Sequence, residues 1–288
     1  MMNNKLCLLM LFGYALTSHA VYAETEHNHF KPAKVSQPHV RSHIALILDE
    51  QTQQPLFNKN ADRIAPIASI TKLMTAMVVL DAMLPMDEPV SVAADDPAVR
   101  KRARSRLSAG MTFTRSELLK MALIASENRA MLALARSYPG GTEAVVAAMN
   151  AKALELGMQN TVFYETTGLS RDNVSTANDL AKMVAAARNY PLIQEYSTTA
   201  SLSVDGLGGR ALRFSNTNPL VRSASWDIGL SKTGYINEAG LCLVMAANIN
   251  ERPVIIVLLN SWGKRTRVGD ANRLRKWMEN TYAREHRT

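Results

Sequence analysis

Cysteine is almost absent from the chain. Two occur in 288 residues, and Cys7 lies in an N-terminal stretch that reads as an export signal, which strands Cys242. A single thiol makes no internal disulfide, so stability has to come from packing. Cys242 sits in the apolar run Leu241-Cys242-Leu243-Val244-Met245 and is expected in the core. Histidine is scarce and poorly placed: after the predicted export signal it occurs at His27, His29, His39, His43 and His286, all near the termini and without a metal-ligand spacing. That leaves little room for a Ser-His-Asp triad. Long apolar runs are missing as well. The stretch from Leu6 to Leu16 is too short to anchor stably in a bilayer, and no later stretch approaches spanning length. There is no internal repeat and no low-complexity tract.

What is present begins with a short charged head at Lys5, that apolar run, and Val21-Tyr22-Ala23 before Glu24. This predicts a signal peptide over 1–23, cleaved after Ala23 with Ala20 as second choice, and an exported protein that is soluble in the periplasm. Residues 24–41 lack apolar periodicity and read as a flexible leader. The formal net charge is +8. Such a balance suits an anionic partner, but export argues against nucleic acid. The densest basic run, Val99 to Arg106, has no interleaved aromatic to stack on bases. A solvated face is the favoured reading of that run, and a docking patch for an anionic envelope polymer the alternative.

Strand signals at Ser42–Asp49 and Leu56–Phe57 precede a helical stretch from Pro97 to Ala200. Helices are predicted there over Ser116–Glu127, Thr142–Leu156 and Thr176–Arg188. Strands return at Leu202–Val204, Ala211–Phe214, Ile228–Thr233, Gly240–Ile249 and Pro253–Asn260, with Asn250-Glu251-Arg252 as a hairpin connection. A last helix over Val268–Tyr282 carries Ala271, Leu274, Trp277 or Met278, and Tyr282 on one face, to pack on the sheet. The expectation is an α+β catalytic domain over 42–288. Both ends of the mature chain build a mainly antiparallel, five-stranded sheet (about 42–68 and 201–288), and an all-helical lobe (about 69–200) is inserted between them. A functional cleft is expected between the lobes.

Ser69-Ile70-Thr71-Lys72 opens a helix that is apolar on nearly every face, so Lys72 sits where a solvated lysine would not. Residues three apart on a helix share a face, which lets the Ser69 hydroxyl meet the Lys72 amine. Burial lowers a lysine's pKa and can make it a base. Ser-X-X-Lys also occurs by chance, as at Ser261-Trp262-Gly263-Lys264. Ser126-Glu127-Asn128 follows 57 residues after Ser69, and Lys232-Thr233-Gly234 follows 106 residues after Ser126, an order that makes coincidence implausible. This is the motif set of the active-site-serine penicillin-recognising enzymes. In acyl transfer, Ser69 attacks and Lys72 is the leading base. Ser126 relays a proton to the departing nitrogen, and Asn128 holds Lys72 and the substrate amide. Lys232 supplies a second cation that lowers the Lys72 pKa and, with Thr233, binds a terminal carboxylate. Gly234 admits a substrate backbone, and the amides of Ser69 and Tyr235 donate to the oxyanion. No metal or organic cofactor is required.

With these residues in place the chain resembles the D-alanyl-D-alanine carboxypeptidase and endopeptidase family of penicillin-binding proteins over residues 42 to 284. Glu165-Thr166-Thr167-Gly168-Leu169 is similar to a family segment that usually has proline at the Thr166 position. Thr266-Arg267-Val268-Gly269-Asp270 is similar to a strand-to-helix arginine segment, which makes Arg267 a candidate partner for the substrate carboxylate, with an Arg267–Asp270 ion pair as the structural alternative. Ser-Glu-Asn-Arg-Ala (126–130), Tyr-Pro-Gly-Gly (138–141) and Ala-Met-Asn-Ala-Lys-Ala (148–153) place the resemblance in the endopeptidase branch of that family. The stretch after Gly234 is expected to hold two strands and a helix, whereas the carboxypeptidases of the family often add a β domain and an amphipathic anchor, which are not expected here. The resemblance implies a penicillin-binding protein/β-lactamase-like fold and cleavage of D-alanyl to diaminopimelyl crosslinks in peptidoglycan, with β-lactams as covalent inhibitors. The alternatives are a carboxypeptidase, a class A β-lactamase using Glu165 to activate water, and a non-catalytic β-lactam sensor or wall-binding module.

Overall fold

The computed structural model describes residues 37–93 and 105–285. The predicted signal, the leader up to Ser36 and the basic run up to Arg104 lie outside the described residues.

The scaffold is a five-stranded antiparallel sheet. Strand β1 (Ile44–Asp49) pairs with β2 (Pro55–Lys59) on one side and with β11 (Arg252–Ser261) on the other. β11 pairs with β10 (Gly240–Ile249), which pairs with β9 (Asp227–Ile236), giving the order β2-β1-β11-β10-β9. Side chains alternate across a strand, and here both faces are covered. Ala45, Ile47, Leu243, Met245, Val254, Ile256 and Leu258 pack with Ala271, Leu274 and Met278 of the terminal helix Thr266–Glu285. Ile44, Leu46, Val244, Ala246, Ile255, Val257 and Leu259 face the helical lobe. Burial on both sides is why these strands read as unbroken apolar runs. The β10–β11 hairpin turns on Asn250 and Glu251, both at positive φ (49° and 62°), a backbone whose twist matches the flanking strands.

Three two-residue to five-residue pairs lie outside this sheet: β3 (Ala65–Pro66) with β6 (Val174–Ser175), β4 (Pro89–Ser91) with β5 (Thr112–Thr114), and β7 (Ser201–Asp205) with β8 (Ala211–Ser215). The β7–β8 hairpin corrects the expectation that Leu202–Val204 and Ala211–Phe214 join the main sheet. Val204 and Phe214 are buried against the helix Arg115–Ile124 while alternate residues are exposed, the pattern of a hairpin that covers a helix with one face.

The helical lobe contains Thr71–Asp81, Arg115–Ile124, Asn128–Arg136, Gly141–Glu155, Ala177–Ala187 and Pro191–Thr198. The predicted helix over Ser116–Glu127 is shorter than expected. Its cap is Thr114, whose hydroxyl accepts from the Glu117 amide at 3.1 Å while the Glu117 carboxylate accepts from the Thr114 amide at 2.8 Å. The helix stops before Ser126, which holds φ 59°. Pro191 opens a further helix at a position where its missing N–H costs nothing. Thr71–Asp81 is the hub of the lobe. Every residue from Thr71 to Val79 is buried, and the helix packs on Gly141–Glu155, Ala177–Ala187 and Asn128–Arg136.

Candidate active site

The site forms where the start of the buried helix meets the edge strand β9. Ala68–Ile70 is a single 3-10 turn that runs directly into Thr71–Asp81 without a side-chain cap. Other interactions fix it. The Thr71 hydroxyl donates to the Ala68 carbonyl at 2.8 Å and accepts from Asn173 Nδ2 at 3.0 Å, and the Ile67 amide donates to the Asn173 carbonyl at 3.1 Å. Two glycines then close on the Ser69 amide. A Cβ at Gly168 would lie 1.9 Å from the Ala68 carbonyl oxygen and 2.7 Å from Ser69 N. One at Gly234 would lie 3.0 Å from Ser69 N, Ile67 O and Ala68 Cβ. Gly168 also holds φ +83°, which favours glycine independently.

Ser69 is half-buried and Lys72 has no exposed surface. Lys72 Nζ lies 3.0 Å from Ser69 Oγ, 2.7 Å from Asn128 Oδ1 and 2.6 Å from the Thr167 carbonyl oxygen. A neutral amine has two hydrogens and one lone pair. With Asn128 and Thr167 taking the hydrogens, the lone pair is left facing the Ser69 hydroxyl. Burial lowers the Lys72 pKa to about 8, against opposing pulls from the carboxylates of Glu165 and then Glu127. At pH 7 that makes about one molecule in ten neutral, where an ordinary lysine would be neutral in fewer than about one in a thousand. Desolvation, the cause that the buried helix predicts, supplies that lowering. Lys232 is itself pushed well down, by burial first and then by Lys72 and Arg267.

Lys232 lies on the face of β9 that looks into the helical lobe. Its Nζ is 2.8 Å from Ser126 Oγ and 3.0 Å from the Thr233 carbonyl oxygen. Because the lysine donates to Ser126, the serine's own hydrogen is free for another partner. The left-handed backbone of Ser126 is a strained conformation of the kind held at functional sites. Asn128 is the first residue of the next helix, and with Oδ1 engaged on Lys72 its Nδ2 is left for a substrate carbonyl. Thr233 Oγ1 donates to Thr217 Oγ1 at 2.6 Å. Tyr235 is exposed, with its hydroxyl on Asn237 Oδ1 at 2.8 Å.

Arg267 is half-buried, and Nη1 donates to the carbonyls of Gly234 (3.2 Å) and Cys242 (3.4 Å). The ion pair with Asp270 that was the structural alternative is not formed. Asp270 instead accepts from the Ser42 amide at 2.7 Å, the Arg41 amide at 3.0 Å, the Ser42 hydroxyl and Arg273, tying the chain ahead of β1 to the terminal helix. Arg267 therefore joins Lys72 and Lys232 in a region of positive potential suited to an anionic group. Cys242 is buried opposite Gly234, and burial pushes its thiol up to about 11, so it is inert packing.

Sequence reasoning missed what holds together the loop from Glu165 to Asn173 that contacts Lys72. The Glu165 carboxylate accepts from the Thr167 amide (2.7 Å), the Thr167 hydroxyl (2.6 Å), the Gly168 and Ser170 amides, and Asn173 Nδ2 (3.1 Å). Buried Asn173 closes the loop by accepting from the Tyr164 and Glu165 amides. This network aims the Thr167 carbonyl at Lys72. A carboxylate that accepts so many donors is a loop brace, unlike the water-activating base a class A β-lactamase would need. The Thr167 acceptor is main-chain and has no side-chain signal; the only cue to Glu165 and Asn173 is a buried-loop pairing that spacing does not reveal.

Residues 31–263 match the family model described as D-alanyl-D-alanine carboxypeptidase. A D-alanyl-D-alanine endopeptidase of Pseudomonas aeruginosa is 46% identical over 283 residues, covering 97% of this chain and 89% of that protein. A D-alanyl-D-alanine endopeptidase of Escherichia coli is 48% identical over 245 residues, covering 85% and 79%. Among solved structures, the Streptomyces K15 DD-transpeptidase superposes with a TM-score of 0.78 at 29% identity, covering 86% of this chain and all of that one.

Proposed function

The chain belongs to the D-alanyl-D-alanine carboxypeptidase family, and on that premise we propose that it is a serine-type D-alanyl-D-alanine endopeptidase. Its substrates are the D-alanyl to diaminopimelyl crosslinks of peptidoglycan in the periplasm, and β-lactams acylate it. The endopeptidase reading rests on the two relatives of that name, which match nearly half of the residues over most of both chains. The acyl chemistry is supported by the 3.0 Å contact between Ser69 Oγ and a fully buried lysine.

In the proposed reaction, Ser69 Oγ bonds to the carbonyl carbon of the D-alanyl residue and its proton passes to Lys72 Nζ. The backbone amides of Ser69 and Tyr235 receive the oxyanion, and the absent side chains at Gly168 and Gly234 let the neighbouring loop and β9 pack directly on the Ser69 turn. The C–N bond then breaks. Ser126, free to donate because Lys232 hydrogen-bonds to its oxygen, passes its proton to the departing diaminopimelyl amine and receives in turn the proton that Lys72 took from Ser69, which restores the neutral lysine. Asn128 Nδ2 orients the substrate amide, while Lys232, Thr233 and Arg267 hold the anionic end of the peptide. Water attack on the acyl-serine returns Ser69 and releases a D-alanyl carboxylate. Every group needed is a side chain or amide of this chain.

Mass-spectrometric analysis of products from crosslinked muropeptide dimers and from monomeric pentapeptide, with Ser69→Ala as control, tests this function. Dimers converted to monomers, with pentapeptide intact, are expected. Loss of terminal D-alanine from pentapeptide alone would make the protein a carboxypeptidase. The absence of any Ser69-dependent product would leave the non-catalytic sensor or wall-binding reading. Rapid release of hydrolysed penicillin would instead mark a β-lactamase.

A further inference from the structure

The middle residue of Ser126-Glu127-Asn128 has no part in the chemistry above, yet it is the most buried of the three. Glu127 is buried, a placement that acidic side chains seldom adopt without partners. Its Oε1 accepts from the Ser105 hydroxyl at 2.7 Å and from the Arg129 amide at 3.2 Å, which makes it the cap of the helix that begins at Asn128. Ser105 is locked in turn, since its Oγ accepts the Leu107 amide at 3.0 Å. The Arg129 side chain turns to the same strand of backbone and donates to the Leu107 carbonyl at 2.6 Å instead of covering the carboxylate. The segment 105–107 and the start of the Asn128 helix are therefore stapled at two points. Asn128, whose carbonyl oxygen receives a Lys72 hydrogen, is the next residue along.

We propose that Glu127 is a positioning residue for the acylation reaction: clamped by Ser105, it fixes the helix start that presents Asn128 to Lys72, and its negative charge moves to higher pH the range in which Ser69 becomes acylated. Among the described residues, the charged groups around Lys72 are Glu165 from the loop ahead of β6, Glu127 from the helix start and Lys232 from β9. Glu165 is tied up in bracing its own loop, so its replacement changes geometry and charge together. Glu127 separates the two, because a glutamine there keeps an oxygen for Ser105 and Arg129 while removing the charge. A neighbouring anion favours the protonated lysine, so the charge of Glu127 delays the appearance of the neutral base as pH rises, consistent with its upward pull on Lys72.

This inference rests on Lys72 acting as the base for Ser69, and the experiment separates the two. Benzylpenicillin acylation rates of the full chain are measured from pH 5.5 to pH 10 for the wild type, Glu127→Gln, Glu127→Ala, Glu127→Asp and Ser105→Ala, with Ser69→Ala as blank. The two uncharged variants are expected to bring the midpoint of the rise down by about half a pH unit, which at pH 6.5 is about threefold faster acylation per competent molecule. Glu127→Asp and Ser105→Ala, which keep the charge, are expected to hold the wild-type midpoint even where loosened packing lowers the plateau. A purely structural cap would lower rates at every pH and leave the midpoint in place for all variants, which overturns the inference. A shift of equal size in Ser105→Ala overturns it too. A wild type with no Ser69-dependent adduct refutes the catalytic reading itself.

Discussion

Gly168→Ala offers the sharpest test of how the Ser69 turn is held. The new methyl would lie 1.9 Å from the Ala68 carbonyl oxygen and 2.2 Å from its carbon. Relief requires the loop and the turn to part by about 1 Å, and a displacement of that size in a reacting group costs roughly 100-fold in rate. The left-handed φ of +83° adds about 1–2 kcal/mol of backbone strain, and forced overpacking roughly 1–3 kcal/mol more. Two controls separate these effects. Gly110 has a similar φ of +81° but nothing within 4 Å of its Cβ position, so Gly110→Ala should lose only about 1 kcal/mol, a few degrees in Tm, with acylation unchanged. At Gly234 the clashes are at 3.0 Å. A few tenths of an ångström resolves them, and Gly234→Ala should lose about tenfold in acylation, a smaller displacement than the 1 Å case. Penicillin acylation rates and calorimetric unfolding of the three variants give the ranking. Gly168→Ala acylating within about twofold of wild type would refute the packing argument.

Acylation should rise with pH through a midpoint near 8, because only neutral Lys72 accepts the Ser69 proton; a rate that falls or stays flat from pH 6 to 9 would contradict the assignment. Glu165→Ala strands the donors of its loop and should cost roughly 2–4 kcal/mol of stability. It should slow acylation itself, whereas a β-lactamase-type base would show normal acylation and a defect confined to acyl-enzyme breakdown. Burial alone would raise the Asp270 carboxyl, but hydrogen bonds from Ser42, Arg41 and Arg273 outweigh it and hold the carboxyl below the usual range. Its stabilising contribution is therefore full above about pH 4, near the unfolded carboxyl value, and is lost as pH falls through the folded one. Asp270→Asn should be less stable in urea at pH 7 by roughly 1–3 kcal/mol, a gap that narrows towards pH 2; a gap that widens in acid would contradict this.

Much of the fold was legible because the sheet and the hub helix are buried on both faces, and such segments announce themselves as apolar runs. The β7–β8 hairpin was misplaced because a single-faced strand carries the same alternation whether it covers a helix or joins a sheet. The start of the helix Arg115–Ile124 was placed late because Ser116 and Thr114 are both fair caps, and the reciprocal bond to Glu117 decides between them. At the site, Ser69, Lys72, Ser126 and Lys232 stand out through spacing, since local helix geometry and motif order carry them. The Thr167 carbonyl, the Glu165 and Asn173 brace, and the Ser105 clamp on Glu127 join segments 8 to 95 residues apart through main-chain or single side-chain bonds, and no local pattern marks such contacts. Arg267 shows the same limit: the sequence offered Asp270 three residues along the helix, whereas the folded chain gives Asp270 to Ser42 and leaves the guanidinium on the β9 and β10 carbonyls.

The central claim is that Ser69, activated by a buried neutral lysine, forms the covalent intermediate. Peptide mapping of the benzylpenicillin adduct tests it most directly, comparing the wild type with Lys72→Ala and Ser69→Ala at pH 8. One persistent adduct on the peptide containing Ser69, lost in Ser69→Ala and slowed by several orders of magnitude in Lys72→Ala, is the expected result. An adduct on any other residue, or undiminished acylation without Lys72, would contradict the account.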